Sequence, residues 1–199
     1  MKLVKPSFKI RTRINYGRIL RSIEDAGRTC YKSEGKITAE SAEPFVMRIR
    51  KSGHESVIEH EYISVRFICD RGVTHEMVRH RLSSYSQEST RYCNYGKMGM
   101  RFIFPSDFKL DGEDLSLLKQ IEAHYNKCLN EKHRTPQQAR YFLPNGLKTE
   151  IVMTANIREW RHFMRMRTDK AAHPDMRALM CSLHSELKKR LPVFFEDIE

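Results

Sequence analysis

Cationic, hydroxyl and aromatic side chains are concentrated in residues 79–92 (RHRLSSYSQESTRY). This segment contains three Arg, one His, four Ser, two Tyr and one each of Thr and Gln. Arg guanidinium groups form paired hydrogen bonds with phosphate and carbonyl oxygens. Hydroxyl and amide groups add neutral donors, and Tyr rings offer stacking faces. Because a solvated charged loop would be rich in Lys and Glu without these rings, the composition favours binding of a phosphorylated heterocycle.

Two residues near this segment could act as nucleophiles, but neither has the surroundings that this role needs. Ser89 lies between Arg81 and Arg91 without an evident general base, so we interpret its hydroxyl as a donor to phosphate or carbonyl groups. Cys93 is close to Arg91 in the sequence, but an ordinary loop thiol is the favoured interpretation. The chain has no GxSxG, GxGxxG or GxxxxGK[ST] motif, so a nucleotide site must be built from side chains.

The histidine spacing argues against a catalytic metal. His75 and His80 are five residues apart, which separates them by about 140° on a helix, whereas the HExxH motif needs a spacing of four. His54 and His60 fail similarly, at a spacing of six. Two Arg residues flank His80 and would oppose a divalent cation. We therefore predict no metal site.

A second cationic segment, residues 155–167 (ANIREWRHFMRMR), is predicted to be helical. At about 100° per residue, one stripe of this helix contains Asn156, Trp160, Phe163 and Arg167. A cation on this apolar side needs an acidic partner or a ligand, which makes Arg167 a candidate functional residue. Arg161 and Arg165 are expected to lie in water.

Periodicity and capping signals predict the elements that position these segments. Helices are predicted over 15–26, 41–52, 73–81, 115–131 and 175–190, with Gly27 and Gly53 ending the first two. Further helix starts lie at the caps Thr135 and Asn156, each followed three residues on by Gln or Glu. A strand over 61–70 has apolar residues at every odd position from 63 to 69, 101–104 is a short strand, and 82–100 is a loop. Few strands among many helices predict an α+β fold, with an antiparallel sheet packed against long helices in a single domain over 1–199.

Composition narrows the function classes. The formal net charge is +11 and the pI is about 9.6, which fits nucleic acids, anionic membranes or small polyanions. No apolar run approaches the ~18 residues of a membrane span, and the N-terminal residues predict no secretory signal. The five Cys residues form no CxxC pair. This usage is typical of reduced thiols, so a cytoplasmic location is expected.

Four segments together resemble the flavin-dependent thymidylate synthases. The RHR sequence at 79–81, followed after seven residues by Ser89, resembles the R-H-R-x7-S signature of that family. The other three segments, in the family's order, are GHESVIEH at 53–60, Arg140 with LP at 143–144, and the N-x-R…R pattern of 156–167. The combination is far more specific than any single short motif.

The resemblance implies a reaction, its ligands and its residues. It implies a homotetramer with active sites shared between chains, FAD as cofactor, NADPH as reductant, methylenetetrahydrofolate as one-carbon donor, and conversion of dUMP to dTMP. Residues implied at FAD are Ser56, Arg79, His80, Arg81, Gln87, Asn156, Ile157, Arg158 and His162. Residues implied at dUMP are Glu76, Met77, Val78, Arg79, Gln87, Glu88, Ser89, Thr90, Arg91, Arg140 and Arg167. Arg167 is the implied catalytic residue, stabilising negative charge on the uracil ring.

Two other function classes remain as alternatives. A basic nucleic-acid-binding module would use the +11 charge and the Arg/Tyr segment, but it would gather its cations on one exposed surface. A phosphoryl-transfer enzyme or nuclease would need a carboxylate cluster for Mg²⁺, which the sequence does not suggest. The flavoenzyme interpretation predicts small-molecule partners, with neither nucleic acid nor membrane.

Overall fold

The computed structural model describes residues 1–105 and 107–198. Contacts divide these residues into two compact units. The first unit comprises the described residues within 1–7, 67–79 and 85–152. The second unit comprises 8–66, 80–84 and the described residues from 153 onward.

Within the described residues, six strands form two sheets. The strands are β1 (Lys2–Leu3), β2 (Ser7–Ile10), β3 (Tyr62–Asp70), β4 (Ser83–Gln87), β5 (Arg101–Phe102) and β6 (Lys148–Asn156). The larger sheet is antiparallel and has the order β2-β3-β6-β4, whereas β1 and β5 form a parallel pair. The α+β class predicted from the sequence is therefore confirmed.

Helices make up most of the remaining structure. They are α1 (Tyr16–Thr29), α2 (Ala42–Lys51), α3 (Arg71–Met77), α4 (Tyr95–Met98), α5 (Gly112–Asn130), α6 (Pro136–Ala139), α7 (Ile157–Thr168), α8 (Pro174–Arg190) and α9 (Pro192–Phe195). Short 3₁₀ helices cover Glu34–Lys36, Glu55–His60 and Arg140–Phe142. No helix in the described part of the chain is both long and apolar enough to cross a membrane.

The strand predicted over 61–70 is confirmed as β3, and its odd positions from Ile63 to Cys69 are buried as expected. Its partner β6 was not predicted, although Ile151, Met153 and Ala155 alternate in the same way and are also buried. Both strands follow the rule that successive side chains of a strand point to opposite faces of the sheet.

The loop predicted over 82–100 is wrong in two places, because it contains β4 and α4. Strand β4 is polar, with the sequence SSYSQ, so no apolar alternation marks it; its place in the sheet comes from pairing with β6. The helix predicted over 73–81 is also displaced. It begins at Arg71, because Asp70 caps it by accepting a bond from the Val73 amide, and it ends at Met77.

The capping signals were accurate. The Thr135 box at α6 is present with Gln138 as its partner, and the side chain of Asn156 caps α7 by accepting from the Glu159 amide at 2.8 Å. Helix α8 buries Leu179, Leu183 and Leu187 as predicted. Caps are reliable because they satisfy backbone groups within three residues of the helix start.

The sequence predicted that Gly27 ends the first helix. In the structure Gly27 lies inside α1 and is buried. A Cβ atom at Gly27 would lie 2.7 Å from the Phe45 ring of α2 and 3.0 Å from Val57. The missing side chain therefore allows close packing of α1 and α2, and the helix continues through Thr29. Gly53, by contrast, follows α2 with φ of +73° and acts as the predicted stop.

We expect Gly27→Ala to lower the free energy of unfolding despite its better helix propensity. Replacing Gly by Ala gains about 1 kcal/mol of propensity, but overpacking costs ~1–3 kcal/mol. Gly17→Ala is the matched control, because a Cβ there meets only the flexible Arg21 side chain at 3.7 Å. Denaturant titration should show a loss at Gly27 and no loss at Gly17; equal effects would contradict the packing argument.

Candidate functional site

The second unit contains a cavity of about 490 Å³ beside the start of α7. Its lining residues are Glu55, Glu59, Tyr62, Leu82, Asn156, Arg158, Glu159, His162 and Arg165. A volume of this size is typical of small-molecule sites. Tyr62 and Leu82 leave more than half of their surface exposed, so the cavity combines apolar faces with charged groups.

Carboxylates neutralise the cations on the cavity wall. Arg158 donates to Glu59 at 2.5 Å, and Glu55 accepts from Arg161 at 3.1 Å and lies 3.7 Å from Arg165. The hydrogen bond that Arg158 donates to Glu59 raises the pKa of Arg158 against the opposing effect of burial. An anionic ligand that entered here would compete with Glu59 for an exposed guanidinium.

Behind the cavity wall, three side chains of α7 meet around His80, which belongs to a distant segment of the sequence. Arg167 donates from Nε to His80 Nε2 at 3.0 Å, and the Nδ1 atom of His80 lies 3.5 Å from a carboxylate oxygen of Glu159. The His80 ring also packs against Phe163 in a T-shaped arrangement, with centroids 4.5 Å apart. The predicted catalytic residue Arg167 is thus half-buried and held by a residue of the RHR segment.

Glu159 belongs to this cluster and also borders the cavity. It is 5% exposed, and burial raises the pKa of its carboxyl, while His162 and Arg158 act in the opposite direction. The sequence identified Glu159 only as a capping residue. Its helical position, about 40° from buried Phe163, is the signal that could have marked it as an inward-facing acid.

The residues predicted at FAD are divided between the two units. Those in the second unit are Ser56, His80, Arg81, Asn156, Ile157, Arg158 and His162, and those in the first are Arg79 and Gln87. Asn156, Arg158 and His162 line the cavity, while Ser56 and Arg81 are exposed. The Ile157 side chain is fully buried, and its amide donates to the Glu61 carbonyl. Gln87 donates to Thr74 and Thr149 within the first unit.

Of the residues predicted at dUMP, all but Arg167 lie in the first unit. The turn after β4 is organised around Ser89, whose carbonyl accepts from the Tyr92 and Cys93 amides. Arg91 donates from its amide to the Ser89 hydroxyl at 3.3 Å and from Nε to Gln137 at 2.9 Å.

The neighbouring substrate candidates differ in their exposure. Arg140 follows α6 directly, one helical turn after Gln137. Thr90 and Met77 are buried, Glu76 is half-buried, and Val78 and Arg79 are exposed. Of the predicted cations, Arg91 lies in the turn itself and is exposed, so a phosphate site at this turn stays a prediction.

A buried ion-pair cluster, which the sequence did not reveal, anchors this turn. Lys148 lies 3.0 Å from Glu88 and 2.7 Å from Glu150, and the Tyr95 hydroxyl donates to Glu88 at 2.9 Å. Burial opposes the charge of Lys148, but hydrogen bonds to Glu150 and Glu88 outweigh it and raise its pKa. Glu88 is therefore held by its side chain next to the residues predicted to bind phosphate.

Arg161 corrects another expectation, because it is 1% exposed rather than solvated. Its guanidinium pairs with Asp197 through two bonds, of 2.8 and 2.9 Å, and also donates to the Phe194 carbonyl. Arg165, by contrast, is exposed as predicted. The C-terminal segment supplies these partners, and helical periodicity within α7 could not reveal them.

The tertiary structure groups three potential metal ligands despite the unfavourable sequence spacing. Ligand atoms of His80, Glu159 and His162 lie within 4.8 Å of one another. His80 Nε2 already accepts from Arg167, and Arg158 and Arg165 line the adjoining cavity. Because these cations oppose a divalent ion, the geometry favours an anionic ligand, and the absence of a metal stays a prediction.

Comparison with known proteins decides the family. A family model described as "Thymidylate synthase complementing protein" matches residues 14–193. The chain is 33% identical to a flavin-dependent thymidylate synthase of Corynebacterium efficiens over 199 residues, covering 89% of this chain and 78% of the relative. The chain belongs to the flavin-dependent thymidylate synthase family. A Mycobacterium tuberculosis member of this family is 34% identical over 200 residues, with the same two coverages.

Solved structures agree with the fold of the flavin-dependent thymidylate synthase family. The UMP/dUMP methylase PolB of Streptomyces cacaoi, bound with 5-Br dUMP, matches with a TM-score of 0.78 and 18% identity over 98% of this chain and 96% of that one. Thymidylate Synthase X of Helicobacter pylori, with FAD and dUMP, matches with a TM-score of 0.75 and 21% identity over 97% and 98%. The resemblance identified from sequence motifs is thereby confirmed at the level of family and fold.

Proposed function

We propose that this chain catalyses the reductive methylation of dUMP to dTMP, with tightly bound FAD, with NADPH as reductant and with methylenetetrahydrofolate as one-carbon donor. The folate supplies a methylene group, NADPH supplies the hydride that completes the methyl group, and tetrahydrofolate and NADP⁺ leave. In a chain of this family, the observation that most supports the proposal is the half-buried Arg167, which His80 holds beside a ligand-sized cavity.

The cavity at α7 fits the chemistry of a flavin nucleotide. The helix start and Arg158 offer positive charge to a pyrophosphate, and the exposed faces of Tyr62 and Leu82 can contact apolar rings. When bound, FAD supplies the hydride-transfer chemistry. We propose that Arg158, Asn156 and His162 hold it at this wall, with His80 behind them. The other residues proposed to contact FAD are Ser56, Arg79, Arg81, Gln87 and Ile157.

The first unit offers the groups that a nucleotide monophosphate needs. We propose that Arg91, Arg140 and the Ser89 hydroxyl bind the phosphate, since guanidinium groups pair with phosphate oxygens in two-bond geometry. Arg167 is proposed to lie against the pyrimidine, where a fixed and partly desolvated cation stabilises negative charge at N3 and the carbonyl oxygens. The remaining proposed contacts are Glu76, Met77, Val78, Arg79, Gln87, Glu88 and Thr90.

The proposal extends to assembly and location. We propose one catalytic domain over residues 1–199 in a homotetramer whose active sites are shared between subunits, in the cytoplasm. Four chains would have a formal charge of four times +11, or +44. Such a field would steer anionic nucleotides and folates towards the sites. No nucleic-acid or membrane partner is proposed.

Spectroscopy and a coupled assay test the proposal together. The purified protein should be yellow from bound flavin, should oxidise NADPH faster when dUMP is added, and should form dTMP when methylenetetrahydrofolate is present. A colourless protein that binds oligonucleotides with a steep salt dependence would instead support the nucleic-acid-binding alternative and overturn the enzyme proposal.

We expect Ser89→Ala to retain appreciable dTMP formation. The Ser89 hydroxyl accepts from the Arg91 amide, and its own proton stays available for the phosphate. Its loss therefore weakens the turn and removes one donor to the phosphate. The expected change is an increase of roughly 10- to 100-fold in the KM for dUMP, as for one lost hydrogen bond to a charged group. Complete loss of turnover, with the flavin still bound, would show that Ser89 is a covalent nucleophile and would contradict this role.

A further inference from the structure

The structure gives Glu159 a position that its role in the helix cap does not explain. The cap of α7 is made by the Asn156 side chain, which accepts from the Glu159 amide. The Glu159 carboxylate extends inward, is almost completely buried and lies 3.5 Å from His80 Nδ1. Burying a carboxylate is unfavourable unless a donor or cation faces it, so this contact must offset a real cost.

The hydrogen bond on the opposite side of the ring determines the protonation of His80. Arg167 can only donate, so His80 Nε2 must be unprotonated to accept from it at 3.0 Å. A neutral imidazole then has its proton on Nδ1, the atom that faces the Glu159 carboxylate. An imidazolium would lose the bond to Arg167 and repel its charge, whereas Glu159 stabilises the tautomer that keeps this bond.

We propose that Glu159 is a positioning residue for Arg167, acting through His80. The carboxylate fixes the tautomer and the orientation of the imidazole ring. The imidazole in turn fixes the guanidinium, because His80 Nε2 accepts from the Nε–H of Arg167. The inference rests on the proposed function, because it assigns to Glu159 the placement of the cation that meets the pyrimidine. It adds a residue on the cavity wall that does not itself touch the reacting atoms.

The test measures dUMP affinity in a double-mutant cycle. The holoenzyme is titrated with dUMP, and binding is followed by calorimetry, so that the result does not depend on turnover. Glu159→Leu removes the carboxylate that faces Nδ1–H, and we expect its Kd for dUMP to rise about tenfold. In the Arg167→Ala background the same substitution should change Kd less than about twofold, because a residue that acts only through Arg167 is then without effect.

A conservative variant and a stability control complete the design. Glu159→Gln keeps an oxygen that can accept from Nδ1–H, so its Kd should stay within about twofold of the parent. Asp197→Asn weakens the Arg161 ion pair without contacting His80, and it shows what lost stability alone does to dUMP binding.

Each outcome has a defined consequence. The positioning role would be overturned if Glu159→Leu changed the Kd for dUMP equally in both backgrounds. It would also be overturned if Glu159→Gln weakened dUMP binding as much as Glu159→Leu does. A loss of affinity in Asp197→Asn equal to that in Glu159→Leu would overturn it as well. If the purified parent protein binds neither flavin nor dUMP, the proposed function fails, and this result is distinguishable from an additive cycle in an active enzyme.

Discussion

Arg167→Ala is expected to lower dTMP formation by roughly 100- to 1,000-fold, the usual cost of removing one fixed donor at developing negative charge. The guanidinium is half-buried and oriented by His80, so water cannot reproduce its placement in the variant. Flavin content should stay unchanged, because the cavity proposed for FAD is lined by other residues of α7. Product analysis and the flavin absorbance of the purified variant measure the two effects separately.

The charge and the geometry of Arg167 can be distinguished with Arg167→Lys. Lysine keeps the positive charge but has no Nε–H at the guanidinium position and no planar fork, so we expect an activity between those of the parent and the Ala variant. Arg190→Ala is the control, because Arg190 pairs with Glu186 on the exposed face of α8. Turnover of Arg167→Ala equal to that of the parent would refute the catalytic assignment.

Asp197→Asn is expected to cause the largest loss of stability. Asp197 faces two buried guanidinium groups: it accepts two bonds from Arg161 and lies 2.7 Å from Arg50 Nη1. Removing one partner of a buried ion pair typically costs ~3–5 kcal/mol. Because Asp197 is itself 36% exposed at its side chain and Glu55 remains beside Arg161, we expect about 2–3 kcal/mol here, measured by denaturant unfolding.

A neighbouring acid provides the matched control for Asp197. Glu196 pairs with Arg50 but is 44% exposed, so Glu196→Gln should cost less than about 1 kcal/mol. Equal losses for the two variants would show that the buried charge of Arg161 is not the cause of the destabilisation.

The pH dependence provides an independent check on this ion pair. The hydrogen bond from Arg161 holds the pKa of Asp197 far below its ordinary value, against the opposing effect of burial. A depressed pKa in the folded state contributes stability that is complete above the unfolded pKa of about 3.9 and is lost as the pH falls further. The difference in unfolding free energy between the parent and Asp197→Asn should therefore be constant near neutrality and shrink below about pH 4. A difference independent of pH would contradict this assignment.

Local rules predicted the parts of the fold whose determinants lie within a few residues. The caps at Thr135 and Asn156 and the alternation along β3 are of this kind. The polar strand β4 has no such pattern, and Gly27 looked like a helix stop although it marks a close approach between α1 and α2. Both errors arise because pairing with another strand or packing against another helix outweighs local preference.

The sequence by itself determined the family, because four motifs in a fixed order are more specific than any one of them, and it selected Arg167 from its place on an apolar stripe. Only the tertiary structure decided which partners the charges have. Arg167 meets His80, 87 residues away, and Arg161 meets Glu55 and Asp197, at separations of 106 and 36 residues. Helical periodicity shows which face a side chain occupies, whereas the burial and pairing of a charge depend on groups that packing brings from distant parts of the chain.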